Sequence, residues 1–168
     1  MGKTIAIKKT RVTSLMTALF IAANIGLPHL FHLIPGGGIM FLPIYFFTAF
    51  AAVSFGMWTG ILTAVLSPLM GYLVFGMPQI MLLPDMMLKG VLLSCTLTYM
   101  LSKAETVLAR FLVVPSAVLI AWGIAGILEL TMRTYEVAFQ DFFTGIPGLL
   151  MMTVAGWMAL FFNKRIAQ

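Results

Sequence analysis

The sequence predicts an all-α integral membrane protein of six transmembrane helices with both termini in the cytoplasm. Three observations carry that prediction. Hydrophobic residues make up 61% of the 168 positions and charged residues 9%, against roughly 25% charged in a soluble domain. No Asp, Glu, Lys or Arg occurs from Val12 to Pro84, a stretch long enough for three spans of ~20 residues each. The basic residues, finally, collect at the chain ends and in one connection, as the positive-inside rule requires of a multi-pass protein.

The first span is read as 13–34. The basic start, with Lys3, Lys8, Lys9 and Arg11, resembles the front of a signal peptide. The apolar stretch behind it outruns the ~7–15 residues of a cleaved signal and leads into further spans, so it is read as a retained helix. Pro35-Gly36-Gly37-Gly38 ends it, because such a cluster breaks regular structure. The second span is placed at 39–55, up to Gly56. The third is placed at 58–75, with Pro68 as a kink. A short connection from Gly76 through Pro78 and Gln79 leads to Pro84.

The fourth span, 84–102, follows from arithmetic. The uncharged stretch between Lys89 and Lys103 is too short to cross a bilayer. The helix must therefore begin near Pro84 and carry Asp85 and Lys89 with it. The fifth span, 111–132, carries Glu129 in its last turns, with Arg133 at its end. The sixth, 143–163, has Pro147 in its first turns. The chain reads as one transmembrane unit with no soluble domain.

Six spans put Lys3, Lys8, Lys9, Arg11, Lys103, Arg110, Lys164 and Arg165 on the cytoplasmic side. Five spans would place Lys164 and Arg165 outside, against the bias. The net charge of +5 thus sets orientation in a bilayer and does not point to nucleic acid. The expected location is a prokaryotic cell membrane, crossed several times.

The remaining two basic residues, Lys89 and Arg133, fall near the outer ends of helices, as do the acids Asp85, Glu129, Glu136 and Asp141. Asp85 and Lys89 are one turn apart, as are Glu129 and Arg133, so each pair can share a helix face. Ionisable groups in a membrane are costly and face a protein interior or a water-filled cavity. One reading is a polar pocket opening outward, in which Lys89 and Arg133 hold a substrate anion and Asp85 and Glu129 hold an amine or ring N–H. The other is structural. Asp85 after Pro84 suits a helix start, Lys89 can pair with it or snorkel, and Glu129 with Arg133 can lock the fifth helix.

His29 and His32 sit near the outer end of the first span. Two His three apart can share a metal, but no Cys, Asp or Glu nearby completes a site, and no metal is expected; both are candidates for a substrate contact in the pocket, with interfacial placement as the ordinary alternative. Asn24, Tyr45, Tyr72, Gln79 and Trp122 are further candidates for stacking on, or hydrogen bonding to, a flat ligand. Packing and interfacial anchoring are the ordinary uses of such aromatics. Fourteen Met residues, several near Met77, Met81, Met86 and Met87, offer a pliable apolar lining. The chain carries no Ser/His/Asp set, no HExxH, no phosphate-binding loop and no ATPase motif. It is not expected to be an enzyme or to hold a cofactor, and uphill transport would need ATPases on other subunits.

Ala18-Leu19-Phe20-Ile21-Ala22 places small residues four apart, a patch that lets another helix approach closely. Together with Phe41-Leu42-Pro43-Ile44-Tyr45, the run Gly60–Leu69, Gly76-Met77-Pro78 and Leu83-Pro84, it resembles the substrate-binding (S) components of energy-coupling factor transporters over roughly residues 13–102. The resemblance implies a six-helix bundle that binds a vitamin or related micronutrient from outside. It also implies docking through Ala18 and Ala22 on a transmembrane coupling subunit joined to two ATPases. It assigns binding roles to the outer loops 34–40 and 76–83, and substrate contacts largely to the outer halves of the fourth to sixth helices. The chain lacks the His that many family members place near Tyr45, so ligand identity does not carry over. A stand-alone facilitator or channel for a small solute is the alternative.

Overall fold

The computed structural model describes residues 2–31, 33–131 and 134–166, and among them the chain is helical with no strand. Among the described residues nine α-helices occur in chain order: α1 (Gly2–Phe31), α2 (Gly37–Phe41), α3 (Phe46–Phe55), α4 (Met57–Phe75), α5 (Leu83–Lys103), α6 (Val107–Glu129), α7 (Tyr135–Ala138), α8 (Gln140–Phe143) and α9 (Ile146–Ile166). Six segments among the described residues are long and apolar enough to cross a membrane: Thr13–Phe31, Gly37–Phe55, Met57–Phe75, Ile80–Lys103, Val107–Glu129 and Ile146–Asn163. The protein is a multi-pass α-helical membrane protein.

The expected boundaries shift where local chemistry dictates. The helix α1 starts well before Thr13 and ends at Phe31, where tight turns from Leu33 N to Leu30 O and from Ile34 N to Phe31 O take over. The fifth span stops at Glu129, short of 132, as its last turn tightens through Thr131 N to Leu128 O. The sixth begins at Ile146, not at 143. A helix started at Phe143 would need an N–H from Pro147, which has none, whereas Pro in a first turn is well tolerated.

The second span, expected to be continuous, is broken. Leu42 adopts φ 47°, ψ 46°, and a 3₁₀ turn over Pro43–Tyr45 separates α2 from α3. Pro43 disfavours helical geometry in the residue before it and supplies no N–H. Backbone groups freed inside a membrane need partners. Tyr45 N donates to Leu42 O at 3.1 Å and Phe46 N to Pro43 O. Phe47 N donates to Asn24 Oδ1 on α1 at 3.2 Å. A similar repair follows Pro115 inside α6. The carbonyl one turn back, Phe111 O, accepts from Trp157 Nε1 of α9 at 2.9 Å.

Between α3 and α4 the chain reverses through one residue, Gly56, at φ 93° and ψ 177°, a conformation essentially reserved for glycine. The helices α3 and α5 are central. The first packs on α1, α4, α5 and α9, and the second on α3, α4 and α6. Leu93, Leu97, Val114, Ala117, Val118, Ala121, Trp122, Met152 and Ala155 form the buried core. Gly90 lets α5 close on α4, since a Cβ there would stand 2.7 Å from Ala64 Cβ. The outward faces carry Leu15, Leu19, Leu112, Leu119, Ile127, Leu150, Val154 and Phe161, all exposed. An exterior of this composition is matched by lipid and not by water.

Candidate functional site

The site grows from the first two turns of α5. Pro84 sits in its first turn, and Asp85 follows where a carboxylate favours the helix start. One turn later Lys89 points along the same face. Its Nζ lies 3.3 Å from Asp85 Oδ2, 3.0 Å from Glu129 Oε1 at the end of α6, and 3.0 Å from Asp141 Oδ2 on α8. Trp122 of α6 donates its Nε1 to the same Asp141 Oδ2 at 2.9 Å. The Tyr45 ring, held at the break in the second span, packs edge-on against Trp122 with centroids 5.0 Å apart.

This is a closed site. The side chains of Lys89, Glu129, Asp141 and Asp85 keep 8%, 6%, 12% and 16% of their surface exposed, and Trp122 and Tyr45 are buried. An ammonium has three protons to give and no acceptor capacity, and here three carboxylates surround it. Asp85 Oδ1 and Glu129 Oε1 nevertheless accept no aligned hydrogen bond. Glu129 Oε1 is held at ion-pair distance from Nζ. Chemically the cluster can hold and orient a polar group within an apolar bundle, between the aromatic pair and the carboxylates.

Of the residues singled out from sequence, Lys89, Asp85, Glu129, Trp122 and Tyr45 come together here. Arg133 and His32 lie outside the described residues. Lys89 is not a free cation awaiting an anion, because its charge is already engaged by acids. Glu129 faces Lys89 of the neighbouring helix, and Arg133, with which it was expected to share a face, lies outside the described residues. Asn24 is elsewhere and its side chain is spent on structure. Fully buried, it donates to Thr48 Oγ1 and Ser67 Oγ, each at 3.2 Å, and accepts from Phe47 N. It ties α1 to α3 and α4. His29 is exposed, its Nδ1 lying 2.9 Å from Ile25 O and its ring against Phe75. Tyr72 lies in the last turn of α4, where its carbonyl accepts from Gly76 N, and the carbonyl of exposed Gln79 accepts from Leu82 N in the following turn. Ala18 and Ala22 are exposed on α1, on one face with Leu15 and Leu19.

Asp141 is the residue that sequence reading did not select. It was visible only as one of the outer acids, and nothing local ties it to Lys89, 52 positions away. The short helices α7 and α8 fold over the end of α6 and deliver it. Two cavities, about 220 Å³ beside Arg110 and Phe161 and about 300 Å³ beside Tyr99 and Lys103, lie at the other end of α5 and α6. They are remote from the cluster.

Searches of family models, curated proteins and solved structures find no match to this chain.

Proposed function

We propose that this chain is the membrane-embedded binding subunit of an energy-coupling factor type uptake system, taking up a vitamin or related micronutrient. In this reading it lies in a prokaryotic cell membrane with both termini cytoplasmic. It receives its ligand at the outer end of α5, α6 and α8, and docks through α1 on a transmembrane coupling subunit that carries two ATPases. The chain itself supplies recognition and no catalysis.

The observation that carries the reading is the buried cluster of Lys89, Asp85, Glu129, Asp141, Trp122 and Tyr45. Ionisable groups are kept in an apolar bundle at considerable cost, and such groups mark ligand or ion pathways. The cluster sits at the end of α5 opposite Lys103, and so opposite the side where the basic residues collect. The exposed Ala18–Ala22 face of α1 supports the docking half, since small residues permit close helix approach.

The test is purification from native membranes, with mass spectrometry of both the retained small molecule and the co-purifying proteins. The expected result is one micronutrient together with a coupling subunit and its ATPases. Uptake into liposomes by the isolated chain, without partners or ATP, would replace this reading with a stand-alone facilitator.

A further inference from the structure

The end of the bundle opposite the Lys89 cluster carries positive charge without a counterion. Lys103 closes α5 and Arg110 stands in the first turn of α6, on either side of the connection 104–106. Arg110 Nε donates to Ala104 O at 3.2 Å, which pins the guanidinium beside the residue next to Lys103. Its other donors, in a planar fork that suits phosphate oxygens, form no bond among the described residues. Lys103 Nζ lies over the Tyr99 ring, 5.9 Å from its centroid. Among the described residues every ion pair belongs to Lys89. Exposed Glu105, between the two cations in the chain, joins neither. Both cations border grooves that are otherwise apolar. One, of about 220 Å³, lies between α6 and α9, where Phe111, Leu160 and Phe161 line it with Arg110. The other, of about 300 Å³, lies between α5 and α6, where Met100, Ala109 and Val113 meet Tyr99 and Lys103. Lys103 ends one membrane-spanning segment and Val107 begins the next, so the grooves open where hydrocarbon gives way to headgroups.

We infer that this end of the bundle binds an anionic phospholipid, its phosphate held by Lys103 and Arg110 and its acyl chains lying in the two grooves. The inference does not depend on the transporter assignment, which concerns the other end of α5 and α6. A soluble anion would satisfy the two cations and leave the apolar walls unfilled. A zwitterionic lipid fills the walls but sets its own ammonium beside two cations. Only a lipid with net negative charge matches both parts of the site. Basic pockets between membrane helices hold anionic headgroups in this way, and each Lys or Arg contributes about fivefold in affinity. Snorkelling alone would bring both side chains to the headgroups, but it predicts no dependence on the shape of the grooves.

The test titrates dioleoylphosphatidylglycerol and dioleoylphosphatidylcholine separately into the purified full chain in neutral detergent, with native mass spectrometry counting the lipid retained. Phosphatidylglycerol is expected to bind at least about tenfold more tightly, and glycerol phosphate added in excess should not displace it. Lys103→Gln and Arg110→Gln should each reduce that preference about fivefold. Ala109→Trp, which fills the groove between α5 and α6 without changing the charge, should weaken both lipids. Lys8→Gln removes the same charge elsewhere and should leave the preference intact. Thermal midpoints without added lipid identify any variant that fails to fold, and the remaining ones then carry the comparison. Equal binding of the two lipids would overturn the inference, as would a preference unchanged in every folded variant of the site. An equal loss in Lys8→Gln would do so too, since it would mean a diffuse attraction of basic chain ends. Displacement by glycerol phosphate would make this a site for a soluble phosphate and not for a lipid.

Discussion

Lys89 Nζ and Asp141 Oδ2 stand 3.0 Å apart although 52 positions separate them in the chain. That contact joins the first turns of α5 to the short α8 segment, and so determines how the last connection covers the bundle. Removing one partner of a buried ion pair leaves an uncompensated charge, at a cost of about 3–5 kcal/mol. Lys89→Met, which strands three carboxylates, is expected to destabilise the protein by that amount. Asp141→Asn should cost less, because the amide oxygen still accepts from Trp122. The double variant should be less destabilised than the sum of the two. Unfolding free energies of the four proteins in detergent, taken as a double-mutant cycle, check this.

Asn24 offers a contrasting polar group, one whose side chain is fully partnered inside the bundle. Asn24→Leu removes its bonds to Thr48, Ser67 and Phe47 N and leaves that N–H buried at the break in the second span. At about 0.6–1.5 kcal/mol per bond, a loss near 2–4 kcal/mol is expected. Amide exchange at Phe47 should rise more than at positions in mid-α6, which localises the effect to the broken span.

Gly56→Ala tests the one-residue reversal between α3 and α4. Nothing stands within 4 Å of the added Cβ, so no clash contributes. The penalty comes from φ 93° alone and should be about 1–3 kcal/mol, read as a drop in thermal midpoint with the helical signal of the folded state unchanged.

Gly90→Ala places a Cβ 2.7 Å from Ala64 Cβ and 3.6 Å from Tyr45 Cε1. Overpacking of this kind costs about 1–3 kcal/mol. Because Gly90 adjoins Lys89, α5 is expected to back away from α4 and carry the ammonium with it. The coupling energy between Lys89 and Asp141 should therefore fall by more than it does in Gly56→Ala, which is the comparison to measure.

Under the proposed function, Ala18→Trp and Ala22→Trp separate docking from recognition. Both positions are exposed on α1 and away from the cluster, so stability and retention of the co-purified ligand should match the parent protein within about twofold, as for surface substitutions generally. Uptake in cells should fall to background. Unimpaired uptake in both variants would mean that α1 is a lipid face and that any partner docks elsewhere.

Composition and order along the chain were sufficient for the class of structure. The charge-free run from Val12 to Pro84 and the short gap between Lys89 and Lys103 set the spans, because hydrocarbon thickness demands a minimum apolar length whatever the packing. The same logic placed Asp85, Lys89 and Glu129 inside helices. The break at Leu42 was harder to see. Pro43 stood in plain view, but a proline inside a membrane helix is tolerated when a neighbour repairs the backbone, and that neighbour was Asn24 on another helix. Asn24 itself stood as one candidate ligand contact among several because an isolated amide in an apolar span looks the same whether it holds a substrate or a freed N–H.

What sequence alone determined, then, is everything that depends on transfer from water to hydrocarbon: a six-span helical membrane protein with a few costly charges near one end of its later helices. Only the tertiary structure decided what those charges do. Asp141 reaches Lys89 because α7 and α8 fold across α6, and Glu129 turns to the lysine of the next helix. Burial is a one-dimensional property that a run of residues declares for itself. Pairing across helices depends on their rotation and crossing, and no local pattern encodes it.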